Sequence, residues 1–126
     1  MKILPQVYIA QTPQKGRGVF TALEIPAGSL IEICPIILIP ASQTLLIDQT
    51  EIYNYYFVWD EHHLAVALGF GSLYNHQDPP NARVIFDYES EEIQIEAIRD
   101  INEEEEITIN YIDDDERKAS LWFDVK

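Results

Sequence analysis

The stretch GFGSLYNHQDPPNA, residues 69–82, places two glycines close together, then the adjacent pair Asn75 and His76, then two prolines and Asn81. Glycine allows the backbone to pass close to another group, and proline fixes the geometry of a turn. An Asn beside a His is by itself more typical of a hydrogen-bonded structural pair than of a ligand or a base. The role of this pair therefore has to be inferred from the segments around it.

The chain is short and contains a single cysteine. Its 126 residues are predicted to form one domain, 1–126, and the hydrophobic content of 47% argues against disorder. A chain of this length buries roughly two thirds of its unfolded surface, which is enough for a core. Cys34 alone excludes an internal disulfide framework and a cysteine-based zinc cluster.

The charge is strongly negative, because 22 acidic and 8 basic residues give a formal net charge of −14. A field of this sign repels nucleic acid and anionic lipid and attracts basic partners, although high charge also serves solubility alone. We therefore expect a basic protein partner, no direct contact with nucleic acid and no membrane association.

The apolar runs of the chain are all interrupted. Pro5 and Gln11 break the N-terminal run, so a signal peptide is not expected. The longest apolar run, residues 30–40, contains Glu32 and Pro35 and is too short to cross a bilayer. The predicted compartment is the cytoplasm, or the nucleus if the source is a eukaryote.

Short runs of alternating or β-branched residues, separated by turn residues, predict a mainly β protein. The clearest run is 92–97, in which two isoleucines and Ala97 share one face. Residues 41–50 are compatible with a short helix or a loop, Pro35 predicts a bend, and 115–123 predicts a short C-terminal helix. The predicted strands cover residues 7–10, 18–22, 30–39, 53–59, 64–68, 82–88, 92–97 and 107–111.

Three segments that are weak signals alone become specific together. They are KGRGVF at 15–20, NHQDPPN at 75–81, and RDI at 99–101 followed by EEITINY at 105–111. Their order and spacing resemble the SET domain of protein lysine methyltransferases over roughly residues 7–112. The resemblance implies a β-clip fold of several small sheets. It also implies a C-terminal pseudoknot, in which the NHQDPPN segment threads through a loop formed by the C-terminal part.

The resemblance implies a cofactor, S-adenosylmethionine. In the family, the Asn-His pair contacts this cofactor through backbone groups and the Asn side chain, and the glycine turn lies along it. The cofactor-binding residues implied in this chain are Lys15, Gly16, Arg17, Gly18, Asn75 and His76.

The C-terminal segment, 113–126, is predicted to be helical. The family usually completes its cofactor and substrate sites with such a segment, so Trp122 or Phe123 could stack on the adenine. The alternative is that the same residues form an amphipathic helix that caps the core.

The implied reaction is attack of a neutral lysine amine on a sulfonium methyl group. Tyr111 matches the family tyrosine that closes the active site, and it is the predicted catalytic residue. Its rigid ring and its hydroxyl, which can donate or accept, suit it to orienting the amine. Its ordinary pKa near 10 makes it a poor simple general base.

The chain departs from the family at several positions. Gln77 and Asp78 replace the usual Ser-Cys, but Asn81 is retained, so we expect the path of the loop to survive. Glu104 stands where the family has a glycine before the last strand. A glutamate there requires either a different turn or a strained positive φ.

The lining of the substrate channel is also altered. Ile33 follows Glu32 where the family often has a tyrosine that lines the lysine channel. That role is either absent or taken by other aromatic residues, and a position that influences the number of methyl groups is a valine. The residues predicted to line the channel are Tyr53, Tyr55, Tyr56 and Val84.

Two further features are interpreted as structural. His62 and His63 lie near Asp60, but adjacent residues point apart on a strand, so no metal site is expected. The aromatic stretch 53–59 belongs either to the core or to the interface of a possible homodimer.

The combined prediction is a protein lysine N-methyltransferase that uses S-adenosylmethionine and acts on a lysine in a basic protein or tail. The alternative is a SET-like module that has lost transfer and binds a basic partner. A third interpretation is an interaction protein whose motif matches are coincidental. The joint occurrence of the segments at 75–81 and 99–111 argues against it.

Overall fold

The computed structural model describes residues 2–110 of the chain. Ten strands dominate this part, so the prediction of a mainly β fold is confirmed. Their bounds are β1 (Lys2–Ile3), β2 (Val7–Thr12), β3 (Gly16–Thr21), β4 (Leu30–Pro40), β5 (Tyr56–Asp60), β6 (His63–Ala67), β7 (Asn75–His76), β8 (Ala82–Asp87), β9 (Glu92–Ala97) and β10 (Glu106–Ile109).

The connection between β4 and β5 is helical but short. It contains the helix α1 (Thr44–Ile47) between two 3-10 turns, Ala41–Gln43 and Glu51–Asn54. Thr50 caps the second turn by accepting a hydrogen bond from the backbone N–H of Ile52. Within the described residues no helix has the length and apolar character needed to cross a bilayer.

The larger sheet is organised around β4, in the order β5-β6-β4-β9-β8, with β1 also paired to β4. The first half of β4 pairs with β9 as far as Pro35, and the second half pairs with β6 from Ile36 onward. Proline has no N–H to donate to a ladder, so the change of partner at Pro35 has a direct cause. The residue at which the sequence predicts a bend is therefore the one at which β4 passes from one neighbour to the other.

The smaller sheet has the order β2-β3-β10-β7. β2 and β3 form a hairpin, and β10 pairs antiparallel with β3 through Val19 and Ile107. On its other side β10 pairs in parallel with β7, where Thr108 lies opposite Asn75. The sheet therefore brings the three sequence segments of the SET-like signature side by side.

The main core is formed by the inner faces of both sheets. In β9, Ile93, Ile95 and Ala97 are buried, as the alternation predicts. In β10 the side chains do not alternate between core and solvent, because Thr108 is buried together with Ile107 and Ile109. The reason is that Asn81 covers its outer face by hydrogen bonding.

The aromatic stretch 53–59 divides between surface and core. Strand β5 begins only at Tyr56, because the preceding residues form a 3-10 turn, and Tyr53 and Tyr55 are exposed. Phe57 and Trp59 face the main core, where both rings contact Phe86. Residues 56–59 therefore belong to the core of this chain.

Candidate active site

The tip of the β2–β3 hairpin lies against β7 and β10. A methyl group added to Gly18 would stand 2.6 Å from Glu106 Oε2 and 3.0 Å from both Asn75 Nδ2 and the Thr12 methyl carbon. Real Cβ atoms do not show the shortest of these distances, so a larger residue here would have to displace the end of the Glu106 side chain. The neighbours of Gly18 in this structure are protein side chains, and the contact of the glycine turn with the cofactor stays a prediction.

The polar groups at this crossing are bonded to one another. The Asn75 side-chain N–H donates to the carbonyl of Arg17 at 3.0 Å and to Glu106 Oε2 at 2.9 Å. The Lys15 ammonium donates to the carbonyl of His76 at 3.1 Å and lies 3.9 Å from Glu106 Oε1. We call residues 15–18, 75–76 and 106 the junction. The structure brings all six predicted cofactor residues from 15 to 76 together here.

The hairpin turn that presents Lys15 is held by Thr12. Its hydroxyl donates to the carbonyl of Gly16 at 2.9 Å and accepts from the Lys15 N–H at 2.8 Å. The turn is therefore ordered by a local side-chain contact, which fixes the lysine near the end of β7.

A second contact, made by the buried Asn81, ties the NHQDPPN segment to β10. The Asn81 side chain accepts from the Thr108 N–H at 2.8 Å and donates to the Glu106 carbonyl at 2.7 Å. Its backbone N–H donates to the Thr108 hydroxyl, and its amide reaches Glu105 Oε2, both at 3.3 Å. These contacts place the NHQDPPN segment along β10, as the loop path predicts. The closing loop of the predicted pseudoknot involves residues outside those described.

Glu105 links this contact to the surface. Its carboxylate accepts from Arg99 at 2.6 Å and from the Asn102 N–H at 2.9 Å. The hydrogen bond from Arg99 is the main cause that holds the pKa of Glu105 below its ordinary value, while partial burial opposes it. The Arg99 segment of the signature therefore stabilises the turn that precedes β10.

The backbone of Glu104, in the turn before β10, adopts a strained conformation. Glu104 has φ 65°, so the glutamate adopts the left-handed conformation that a glycine would adopt without strain. Its side chain accepts a hydrogen bond from the Tyr8 hydroxyl at 2.6 Å. Of the two predicted alternatives, the positive φ is the one observed.

The sequence does not predict as a site residue a buried carboxylate, Glu32, that contacts Tyr74, the residue before Asn75. Glu32 accepts from the Tyr74 hydroxyl at 2.7 Å and from the Phe70 N–H at 2.9 Å. Burial, followed by the charge of Glu32, raises the pKa of the Tyr74 hydroxyl well above its usual range and also that of the Cys34 thiol. The sequence signal was available, since Glu32 is a lone charge in an apolar run.

The residues predicted for the substrate channel lie in different places. Val84 is half-buried and packs against the main core, whereas Tyr53 and Tyr55 are exposed. Tyr56 is buried in a small second cluster with Val58 and Leu64, and its hydroxyl donates to Asp48 at 2.8 Å. The contacts described for Tyr56 therefore lie away from the junction, and a channel role for these residues stays a prediction.

Three predicted residues, Tyr111, Trp122 and Phe123, lie outside the described residues, as does the predicted helix 115–123. The histidine pair is placed by a local contact, in which His63 Nδ1 lies 3.0 Å from Asp60 Oδ1. Over residues 2–110 there is no group of three or more His, Cys, Asp or Glu side chains that could hold a metal ion.

Comparison with known proteins identifies the family of the chain. Residues 16–112 match the SET domain family. A histone-lysine N-methyltransferase of Schizosaccharomyces pombe, specific for lysine 37 of histone H3, is 36% identical over 117 residues, which are 92% of this chain and 76% of that protein. The chain therefore belongs to the SET domain family, and the predicted enzyme class, protein-lysine N-methyltransferase, is confirmed.

Solved structures support the same fold. A candidate histone methyltransferase of Plasmodium falciparum superimposes with a TM-score of 0.68 at 31% identity, covering 86% of this chain and 95% of that one. A humanised mutant of the Chaetomium thermophilum Polycomb Repressive Complex 2 bound to an inhibitor gives a TM-score of 0.67 at 22% identity. It covers 86% of this chain and 15% of that one, and it is informative about the fold alone.

Proposed function

We propose that this enzyme transfers a methyl group from S-adenosylmethionine to a lysine of a basic protein, with histones as the first substrates to test. The observation that carries the proposal is the junction, where the glycine turn, the Asn-His pair and β10 meet. Support for a histone substrate comes from the S. pombe relative, which is a histone-lysine methyltransferase.

The side chains at the junction suit the amino-acid part of S-adenosylmethionine, which carries both a carboxylate and an ammonium group. Lys15 and Arg17 supply cations that can bind a carboxylate, and Glu106 supplies the carboxylate that an ammonium requires. Gly18 lets the hairpin approach Glu106 and Asn75 closely, which brings these cations and the carboxylate together. The proposed holding residues are therefore Lys15, Gly16, Arg17, Gly18, Asn75 and His76, joined by Glu106.

The cofactor, when bound, supplies an electrophilic methyl group on a positively charged sulfur. The work left to the protein is to hold the lysine amine neutral and aligned. A lysine with an ordinary pKa near 10.4 needs about 4.6 kcal/mol to lose its proton at pH 7, and an apolar channel lowers this cost. We assign the orientation of the amine to the hydroxyl of Tyr111, by its match to the family tyrosine.

The acidity of the chain suits a basic substrate. A net charge of −14 accelerates encounter with a positively charged tail and disfavours nucleic acid. Carboxylates beside the amine would hold it protonated, so we place the acidic residues at the rim of the site. A homodimer and a cytoplasmic location, or a nuclear one in a eukaryote, complete the proposal.

The test is calorimetric titration of the chain with S-adenosylmethionine, followed by transfer of labelled methyl groups to histones. We expect Asn75→Ala to weaken cofactor binding, and Tyr111→Phe to reduce transfer more than binding. A chain that binds histones equally well with and without the Tyr111 hydroxyl, and transfers nothing, would instead be a binding module.

A further inference from the structure

A carboxylate is buried in the middle of the apolar strand β4. Glu32 is 1% exposed and lies between Ile31 and Ile33. A buried carboxylate is strongly unfavourable unless hydrogen bonds replace its water, and here two donors from outside β4 do so, beside the Cys34 thiol within the strand. They are the Tyr74 hydroxyl at 2.7 Å and the Phe70 N–H at 2.9 Å. Both donors belong to one segment, residues 69–74, which is far from Glu32 in sequence.

That segment is fixed along its length. A Cβ on Gly71 would stand 2.6 Å from Ala67 Cβ and 2.8 Å from Cys34 Sγ, so the chain is pressed against the core there. The Ser72 hydroxyl donates to the carbonyl of Ala67 at 2.9 Å. Glu32 fastens the last residue of the segment, Tyr74, which directly precedes the Asn-His pair.

The strand that follows is too short to fix its own position. β7 consists of two residues, and its ladder with β10 is formed by Asn75 and His76 opposite Thr108 and Ile109. The N–H of Gln77 adds one bond to the carbonyl of Ile109 at 3.0 Å. The register of β7 therefore depends on where the chain is held on either side, and Asn81 provides the second anchor.

We propose that Glu32 is a positioning residue for the cofactor site: by holding Tyr74 and Phe70, it sets the place of Asn75 and His76 at the junction. This inference rests on the proposed function, because it assigns cofactor affinity to a carboxylate that lies behind the site.

The chemistry of the contact predicts which substitution preserves it. Both donors are neutral, so the role of Glu32 is to accept hydrogen bonds and its negative charge is not required. In Glu32→Gln, the amide oxygen accepts from the Phe70 N–H while the amide nitrogen donates to the Tyr74 hydroxyl oxygen, which can accept. Glu32→Ala loses both contacts and leaves the Phe70 N–H buried.

The experiment compares cofactor affinity across variants by calorimetry. We expect Tyr74→Phe to weaken binding of S-adenosylmethionine by about tenfold, as for a lost hydrogen bond to a charged group. Glu32→Gln should stay within about threefold of the unmodified chain. Tyr8→Phe is the matched control, since it removes another tyrosine hydroxyl from a carboxylate, that of Glu104. It should leave the affinity unchanged.

Hydrogen exchange of the amides of residues 75–77 tests the positioning without any cofactor. It should accelerate in Tyr74→Phe and stay unchanged in Tyr8→Phe. Unaltered affinity and unaltered exchange in a folded Tyr74→Phe would overturn the inference, as would a Glu32→Gln chain as impaired as Glu32→Ala. If the unmodified chain does not bind S-adenosylmethionine, the proposed function fails, while the exchange data alone still decide whether Glu32 positions β7.

Discussion

Asn75 and Asn81 stand at the two ends of the NHQDPPN segment and both reach β10, yet only Asn81 is sealed from solvent. Asn81 is 1% exposed and uses its amide oxygen, its amide nitrogen and its backbone N–H on residues 105–108. Asn75 is half-buried, and the side-chain hydrogen bonds described for it come from its amide nitrogen. The same residue type therefore serves two purposes on one segment.

The difference in burial indicates different roles: the buried Asn81 contact stabilises the fold, whereas the half-buried Asn75 is accessible to a ligand. A buried backbone N–H that loses its partner has no water to replace it, so the Asn81 contact carries a large part of the free energy of folding. The groups around Asn75 reach solvent, so a ligand can exchange with them at little cost. We expect substitutions at the two ends to separate stability from binding.

The largest effect is expected for Asn81→Ala. The substitution leaves the Thr108 N–H buried without its acceptor and removes the donor to the Glu106 carbonyl. We expect a loss of about 3 kcal/mol or more in the free energy of unfolding, measured by chemical denaturation.

The matched control is Asn75→Ala, which should cost about 1 kcal/mol because its partners remain accessible to water. Equal losses in the free energy of unfolding at the two positions would contradict this comparison, because Asn75 would then stabilise the fold as much as Asn81 does. The exposed Asn54, in the 3-10 turn Glu51–Asn54, should lose about 0.5 kcal/mol or less on substitution by alanine.

The second prediction concerns Gly18→Ala at the binding end. The new methyl group collides with the end of the Glu106 side chain, which can swing away, so the fold survives. The swing breaks the bond between Glu106 and Asn75, and we expect about 1 kcal/mol of lost stability together with about tenfold weaker cofactor binding.

A double-mutant cycle with Glu106→Ala checks this mechanism. Once the carboxylate is absent, Gly18→Ala has nothing to displace on that side, so the two losses in stability should fall short of additivity by at least about 0.5 kcal/mol. Additive losses would mean that the methyl group acts through Asn75 or Thr12 instead.

Much of the fold could be predicted from residues alone. The strict alternation in β9 and the turn residues around β3 determine strands directly, because side chains alternate between core and solvent. The burial of Thr108 in β10 could not be predicted in this way, because it depends on Asn81, a residue from a distant segment. Local patterns do not contain such tertiary contacts.

The candidate site was predictable only in part. The junction residues from Lys15 to His76 were identified through the family resemblance, since no property of Asn75 alone indicates a cofactor. No sequence pattern indicates Glu106, because it lies in an acidic run that is typical of a solvated surface. Its role follows from the register of β10, which places it beside Gly18 and Asn75.

A smaller effect is expected at the strained turn that leads into β10. Glu104→Gly removes the left-handed strain of a glutamate at φ 65°, worth about 1 kcal/mol, but also the hydrogen bond from Tyr8. We expect a net gain of about 0.5 kcal/mol in denaturation experiments. In a Tyr8→Phe background the gain should be larger, because the hydrogen bond is already absent. A loss in that background would show that the turn is not strained.

The smallest expected effect is on the pH dependence of stability, and it involves Glu105, which contacts Asn81. The pKa of Glu105 lies below its ordinary value of 4.5 in the folded chain, chiefly through Arg99. A carboxylate with a lowered pKa stabilises the fold fully above that ordinary value, and this contribution is lost as the pH falls below it. Stability measured from pH 6 to pH 3 should therefore decline less steeply in Glu105→Gln than in the unmodified chain. An identical decline would assign the acid sensitivity to other carboxylates and leave the Asn81 contact independent of charge.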